Sequence, residues 1–140
     1  MRRLLILFGF CALITPVDAS LDDAIASAVQ AMDPFVKQGY TVRDDQWGGD
    51  LGVREQKAIP YTLFKGNNYV FCMATDVEGA HVAIHLYDSQ GKLAESDSWQ
   101  KGRFAAVRAI PPATGTYFII VEVTNSPEDR THWAMVYGYK

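Results

Sequence analysis

HVAIHLYDSQGKL, residues 81–93, decides the fold class. It holds His81 and His85 four positions apart, with Asp88 three further on. On a helix, two histidines at that spacing share a face and can grip one zinc ion. The surrounding pattern is not helical. Val82, Ile84 and Leu86 alternate with His81, Ala83, His85 and Tyr87, which is the period of a half-buried strand. At about 3.3 Å per residue the two histidines are then about 13 Å apart. Zinc–nitrogen bonds are only about 2 Å, so one ion cannot bridge the pair. DSQG follows as a turn, with Asp88 able to cap its own backbone and Gly91 free to take positive φ. A loop over Asp88 to Gly91 predicts that Tyr87 pairs with Lys92, Leu86 with Leu93 and His85 with Ala94. Leu86 and Leu93 then enter the core. Extending that register would bury Glu95 and Asp97, so a bulge or strand end is expected near Ala94.

Working outward, the β pattern runs from Tyr40 to the end of the sequence. GYTVRDD reads as a first strand and WGGDLG as a glycine-rich turn. VREQKAIPYTLFKG gives extended segments, with Pro60 marking an edge or an irregular join. YVFCMATD is apolar on both alternating sets, as in a strand buried on both faces. KLAESDSW, RFAAVRAI, GTYFIIVEVTN and THWAMVYGYK follow, separated by turn signals. Eight strands at this spacing predict an all-β fold, a jelly-roll-like antiparallel β-sandwich. Before them, SLDDAIASAVQAMDPF reads as a helix. Ser20 is its N-cap, Asp23 completes a near capping box, and Asp33-Pro34 ends it. Leu21, Ile25, Val29 and Met32 form the stripe that would dock it. The expected organisation is a targeting segment over 1–19, a helix over 20–38 and a sandwich over 39–140.

The targeting segment is read from Met1-Arg2-Arg3, the apolar run LLILFGFCALI, and Val17 and Ala19 at small-residue cleavage positions. The apolar run is too short for a comfortable bilayer span. The expected location is periplasmic or secreted. With 13 Lys+Arg against 16 Asp+Glu and a net charge of −3, and no basic run, nucleic acid is not an expected partner. Past residue 19 the one cysteine is Cys72, placed by its apolar neighbours as a small buried side chain, with an intermolecular disulfide as the other reading.

No G-x-S-x-G elbow is present, and no histidine stands in a triad context. Asp76, Glu78 and Asp88 flank one strand and are the calcium candidates, although they fit no EF-hand loop. Trp47, Trp99 and Trp133 can serve a sugar-stacking platform or pack a core. His85, Tyr87 and Trp99 are the candidate surface-binding residues.

Three pieces carry a family resemblance. They are Leu63-x-x-Gly66-x-x-Tyr69, VAIHLYDSQG at 82–91, and ATGTYFIIV at 113–121. Over residues 61–123 the chain resembles the pre-peptidase C-terminal domain and related exported bacterial β-sandwiches. The resemblance implies a jelly-roll-like sandwich that is not itself catalytic. Such relatives often read D-L-D-L through the strand at 81–84, and some of those acids bind calcium. Here those positions are His81-Val82-Ala83-Ile84, so both acids are absent. The expected function is a non-catalytic binding or accessory module with a protein or glycan partner in the cell envelope. The alternatives are a periplasmic inhibitor or immunity-type protein, and a small secreted hydrolase using loop carboxylates or histidines.

Overall fold

The computed structural model describes residues 20–140; the expected targeting segment lies outside the described residues. The chain runs α1 (Leu21–Ala31), α2 (Asp33–Lys37), β1 (Thr41–Leu51), β2 (Gln56–Leu63), β3 (Tyr69–Ala74), β4 (His81–Tyr87), β5 (Asp97–Lys101), β6 (Phe104–Ala109), β7 (Gly115–Asn125) and β8 (Thr131–Tyr139). The strands form two antiparallel sheets, a large one in the order β1-β8-β3-β6-β5 and a small one in the order β2-β7-β4. This is the predicted all-β sandwich, divided five strands against three.

Side-chain alternation builds the core. Phe71 and Met73 of β3, Trp133 and Met135 of β8, and Val107 of β6 point inward from the large sheet. Val82, Ile84 and Leu86 of β4 meet them, together with Ile119, Val121 and Val123 of β7. Pro60 lies on β2, an edge strand, as its missing N–H requires.

The outer face of the large sheet carries small side chains, namely Cys72, Ala74, Ala106 and Ala134, with Val70 and Val136. Helix α1 lies on it. Ser20 and Asp23 form a reciprocal capping box at its start. The docked face is Ala24, Ala28 and Met32, all fully buried, whereas Leu21 and Val29 of the expected stripe stay partly exposed. Alanines win because a flat sheet of small residues rewards close approach more than bulk. Asp33-Pro34 ends α1 as expected, but the chain then starts the short α2, where proline in the first turn is tolerated.

The same close approach explains a second difference. WGG is not a turn; it runs inside the continuous β1. A Cβ on Gly48 would stand 2.4 Å from Leu21 Cδ1 and 3.1 Å from the Trp133 carbonyl oxygen. The glycine is there for room under the helix, not for bending.

The hairpin after β4 also departs from the expected register. Tyr87, not Leu86, pairs with Leu93. The loop gains a residue because Asp88 N–H donates to the Lys92 carbonyl at 2.8 Å, while Asp88 Oδ1 accepts from the Gln90 and Lys92 N–H groups, each at 2.9 Å. Leu93 is therefore thrown outward, 60% exposed, and does not share the core with Leu86. The expected break near Ala94 is present, since β5 pairs with β6 rather than returning along β4.

Substituting Ala28→Leu should overpack the helix–sheet contact and destabilise the protein by about 1–3 kcal/mol. Urea unfolding of the variant and the parent measures this; an unchanged midpoint would mean that α1 does not dock through its alanines.

Candidate functional site

Helix α1 covers the outer face of one sheet, and among the described residues no element covers the outer face of the other. On that bare face the register aligns three rows across β2, β7 and β4. They are Gln56–Glu122–Ala83, Ala58–Ile120–His85 and Pro60–Phe118–Tyr87. The middle of the face is thus apolar, with His85 and Tyr87 along one side. The turn carrying Asp88, Ser89 and Gly91 rises at one end, and together they enclose an open concavity of about 480 Å³.

His85 is held in place. Its Nδ1 lies 3.2 Å and 3.3 Å from the two Glu95 carboxylate oxygens, and a carboxylate oxygen can only accept, so Nδ1–H donates. Glu95 Oε2 also accepts from the Leu86 backbone N–H at 3.0 Å. Leu86 is on an edge strand, where an N–H pointing sideways lacks a ladder partner. The Glu95 side chain takes the place of that strand, while Leu86 C=O accepts from Ala94 N–H at 2.9 Å. The Glu95 side chain is accordingly only 9% exposed, against 37% for His85.

A histidine oriented by a carboxylate is two parts of a catalytic triad. Among the described residues, no serine, threonine or cysteine hydrogen-bonds His85; its bonds go to Glu95. Cys72 is the one cysteine among the described residues and cannot serve. It is fully buried between β3 and α1, and burial pushes its thiol from 9.0 up to about 12. Burial also excludes the intermolecular disulfide.

The remaining sequence candidates are scattered. Asp76 and Glu78 precede β4, and Asp88 follows it, so about 20 Å of strand separates them. Asp76 faces Arg103 at 3.9 Å, and Asp88 is committed to its own turn. The three calcium candidates do not meet in one place. Alternation puts His81 on the outer face of the small sheet, and His132 outward from the large one.

Trp99 lies away from His85 and Tyr87. It sits on β5, 42% exposed, with Phe35 of α2 at 5.7 Å and the Arg108 guanidinium 5.1 Å over its ring. Trp133 is buried in the core. Trp47 packs edge-on to Tyr61 at 5.0 Å. The three tryptophans therefore make no common platform. The sequence reading missed Glu95, because its contact depends on where the chain goes after a turn. It also missed Ile120 and Phe118, whose neighbours come from two other strands.

No family model matches the chain, and no curated protein matches it either. Among solved structures it is similar to PliG of Aeromonas hydrophila, described as a periplasmic lysozyme inhibitor of g-type lysozyme. The identity is 13%, the TM-score 0.49, and the match covers 74% of this chain and 90% of that one. No helix among the described residues is long and apolar enough to cross a membrane.

Replacing Glu95→Ala should strand the Leu86 N–H and release His85, costing about 1–3 kcal/mol. Glu95→Gln keeps an acceptor oxygen and should cost less; equal losses in urea unfolding would refute the edge-cap role. In a Cys11→Ser background, Cys72 should ignore a thiol reagent at about pH 8, where free cysteine reacts, and should react fully once unfolded. The raised folded value means that the neutral thiol stabilises the fold below pH 9, and that this contribution fades as pH climbs from 9.0 toward about 12. The stability difference between this protein and its Cys72→Ala variant should therefore shrink over that interval.

Proposed function

We propose that the protein is an exported, non-catalytic binding module, and that its partner in the cell envelope is a protein. The observation that carries this reading is the uncovered face of the small sheet. A sheet face turned to water ordinarily alternates to polar residues. This one instead centres on Ala58, Pro60, Phe118 and Ile120, with His85, Tyr87 and Gln56 around them. An apolar middle with a polar and aromatic margin is the anatomy of a protein interface. An open face is poorly suited to a small ligand, which is ordinarily enclosed over most of its surface.

The histidine–carboxylate pair supports the same reading. Glu95 seals the edge of β4 and fixes His85, and neither contact requires a reaction. The resemblance of residues 61–123 to exported, non-catalytic sandwiches supports it as well, as does the signal-like segment at 1–19. Blocking a partner enzyme is the finer form of the proposal. PliG, the similar structure, is described as an inhibitor of g-type lysozyme, and that enzyme sets one arm of the test.

Phe118→Glu places a charge at the centre of the face without touching the core. The purified protein and this variant, immobilised side by side, should be offered envelope extract, g-type lysozyme and peptidoglycan. The expected result is a protein retained by the parent and lost by the variant, with both melting at the same temperature. For an inhibitor, the retained enzyme's turnover should fall with the parent and recover with the variant. Retention of peptidoglycan alone, or of a protein equally by both forms, would overturn the proposal.

A further inference from the structure

A second cleft opens where β1 and β2, the edges of the two sheets, face each other. Between Val42 and Gln46 the β1–β8 register shifts, so that Arg43, Asp44 and Asp45 together oppose the single residue Tyr137. Bulges of this kind re-aim side chains and recur next to functional sites. This one delivers two groups to the mouth between the sheets. Asp45 accepts a hydrogen bond from the Tyr61 hydroxyl, and the Arg43 guanidinium stands 5.0 Å over the Tyr139 ring.

The proton order in the cleft follows from chemistry. The Asp45 carboxylate can only accept, so the one Tyr61 proton goes there. Tyr137 therefore donates to Tyr61 across their 2.8 Å contact, which leaves the Tyr137 oxygen with acceptor capacity. The Tyr69 hydroxyl accepts from Phe64 N–H at 2.9 Å and from Asn67 Nδ2 at 3.2 Å, which leaves its proton to give. The lining thus holds an uncommitted donor, an uncommitted acceptor and the Arg43 N–H groups between aromatic walls. Arg43 is the one charged side chain of the lining, and the Asp45 carboxylate that holds the Tyr61 hydroxyl lies outside it. The cavity is about 180 Å³, about six volumes of liquid water and below the roughly 300 Å³ floor of drug-sized pockets. Phe64 stands at the rim, 55% exposed, and nothing in the packing of the core calls for it there.

We propose that this cleft binds a single neutral pyranose sugar. Its hydroxyl groups match the mixed donors and acceptors of Tyr69, Tyr137 and Arg43, and its C–H face lies against Phe64. With Arg43 as the one cation of the lining and the Asp45 carboxylate bonded to its Tyr61, the cleft offers an anion no cluster of positive charge, and its volume is small for a peptide or a nucleotide. The site is separate from the apolar face of the small sheet and does not depend on a protein partner binding there.

Amide NMR titration of the purified protein tests this, with methyl glucoside and N-acetylglucosamine as probes and inorganic phosphate as the anionic comparison. Sugar is carried to about 100 mM, where even an interaction of ~1.4 kcal/mol registers. Saturable shifts are expected on the β1 bulge, on residues 64–69 and on the end of β8. Phe64→Ala and Arg43→Ala, both at exposed positions, should each weaken binding at least tenfold without moving the melting temperature. Phe118→Glu should leave sugar binding unchanged. The proposal fails if neither sugar gives a saturable shift, if phosphate produces the same shifts, if the shifts fall on the small-sheet face, or if both cleft variants bind as the parent does.

Discussion

The structure depends on β3 being buried on both faces. Its inward residues, Phe71 and Met73, fill the space between the sheets, while Val70, Cys72 and Ala74 take the helix. A sheet strand can be covered twice only if something lies on each side. That need fixes α1 against the large sheet and makes a three-layer molecule. Small residues recur in that layer: Ala24 and Ala28 of the helix are buried in one cluster with Cys72, Ala74 and Ala134 of the sheet, and a Cβ on Gly138 would stand 3.0 Å from Met32 Cε.

Covering one sheet leaves the other bare. The small sheet has the same inward alternation as the large one, but its outward set is not consistently polar. Phe118 and Ile120 stand next to Pro60 and Ala58, with no helix of the described residues over them. The functional reading comes from this asymmetry. The outward face of the large sheet is taken up by the helix, and the outward face of the small sheet is where the proposed partner would bind. The two sheet edges are finished differently too. On the β4 side, Glu95 and the Ala94 N–H stand in for a neighbouring strand. On the β1–β2 side, aromatic contacts among Trp47, Tyr61 and Tyr137 join the sheets without a ladder. The first edge is sealed by backbone hydrogen bonds, while the second is open enough to admit a small molecule.

Local sequence was a good guide wherever the constraint was local. The 81–87 alternation, the Asp88–Gly91 turn chemistry, the Ser20–Asp23 capping box and the double-apolar pattern of 69–74 all lead to the structure observed. It misled where a residue's role depends on what comes to lie over it. Gly48 and Gly49 look like a turn until α1 and Trp133 are packed against them. Leu21 and Val29 look like a docking stripe until the sheet beneath proves to be made of small side chains. Leu93 looks like core until one extra backbone hydrogen bond lengthens the turn.

The sequence by itself determined the class of fold, because side-chain period and turn residues act over a few positions and need no partner. It also ruled out a single zinc ion between His81 and His85, since strand rise alone separates them. Tertiary structure decided the rest. It alone brought Glu95 to His85, set Ile120 between Ala58 and His85, and carried Trp99 to a different face from Tyr87. Those relations join residues from separate strands. Their pairing is fixed by the collective burial of two sheet faces and a helix, a quantity that no local window of sequence contains.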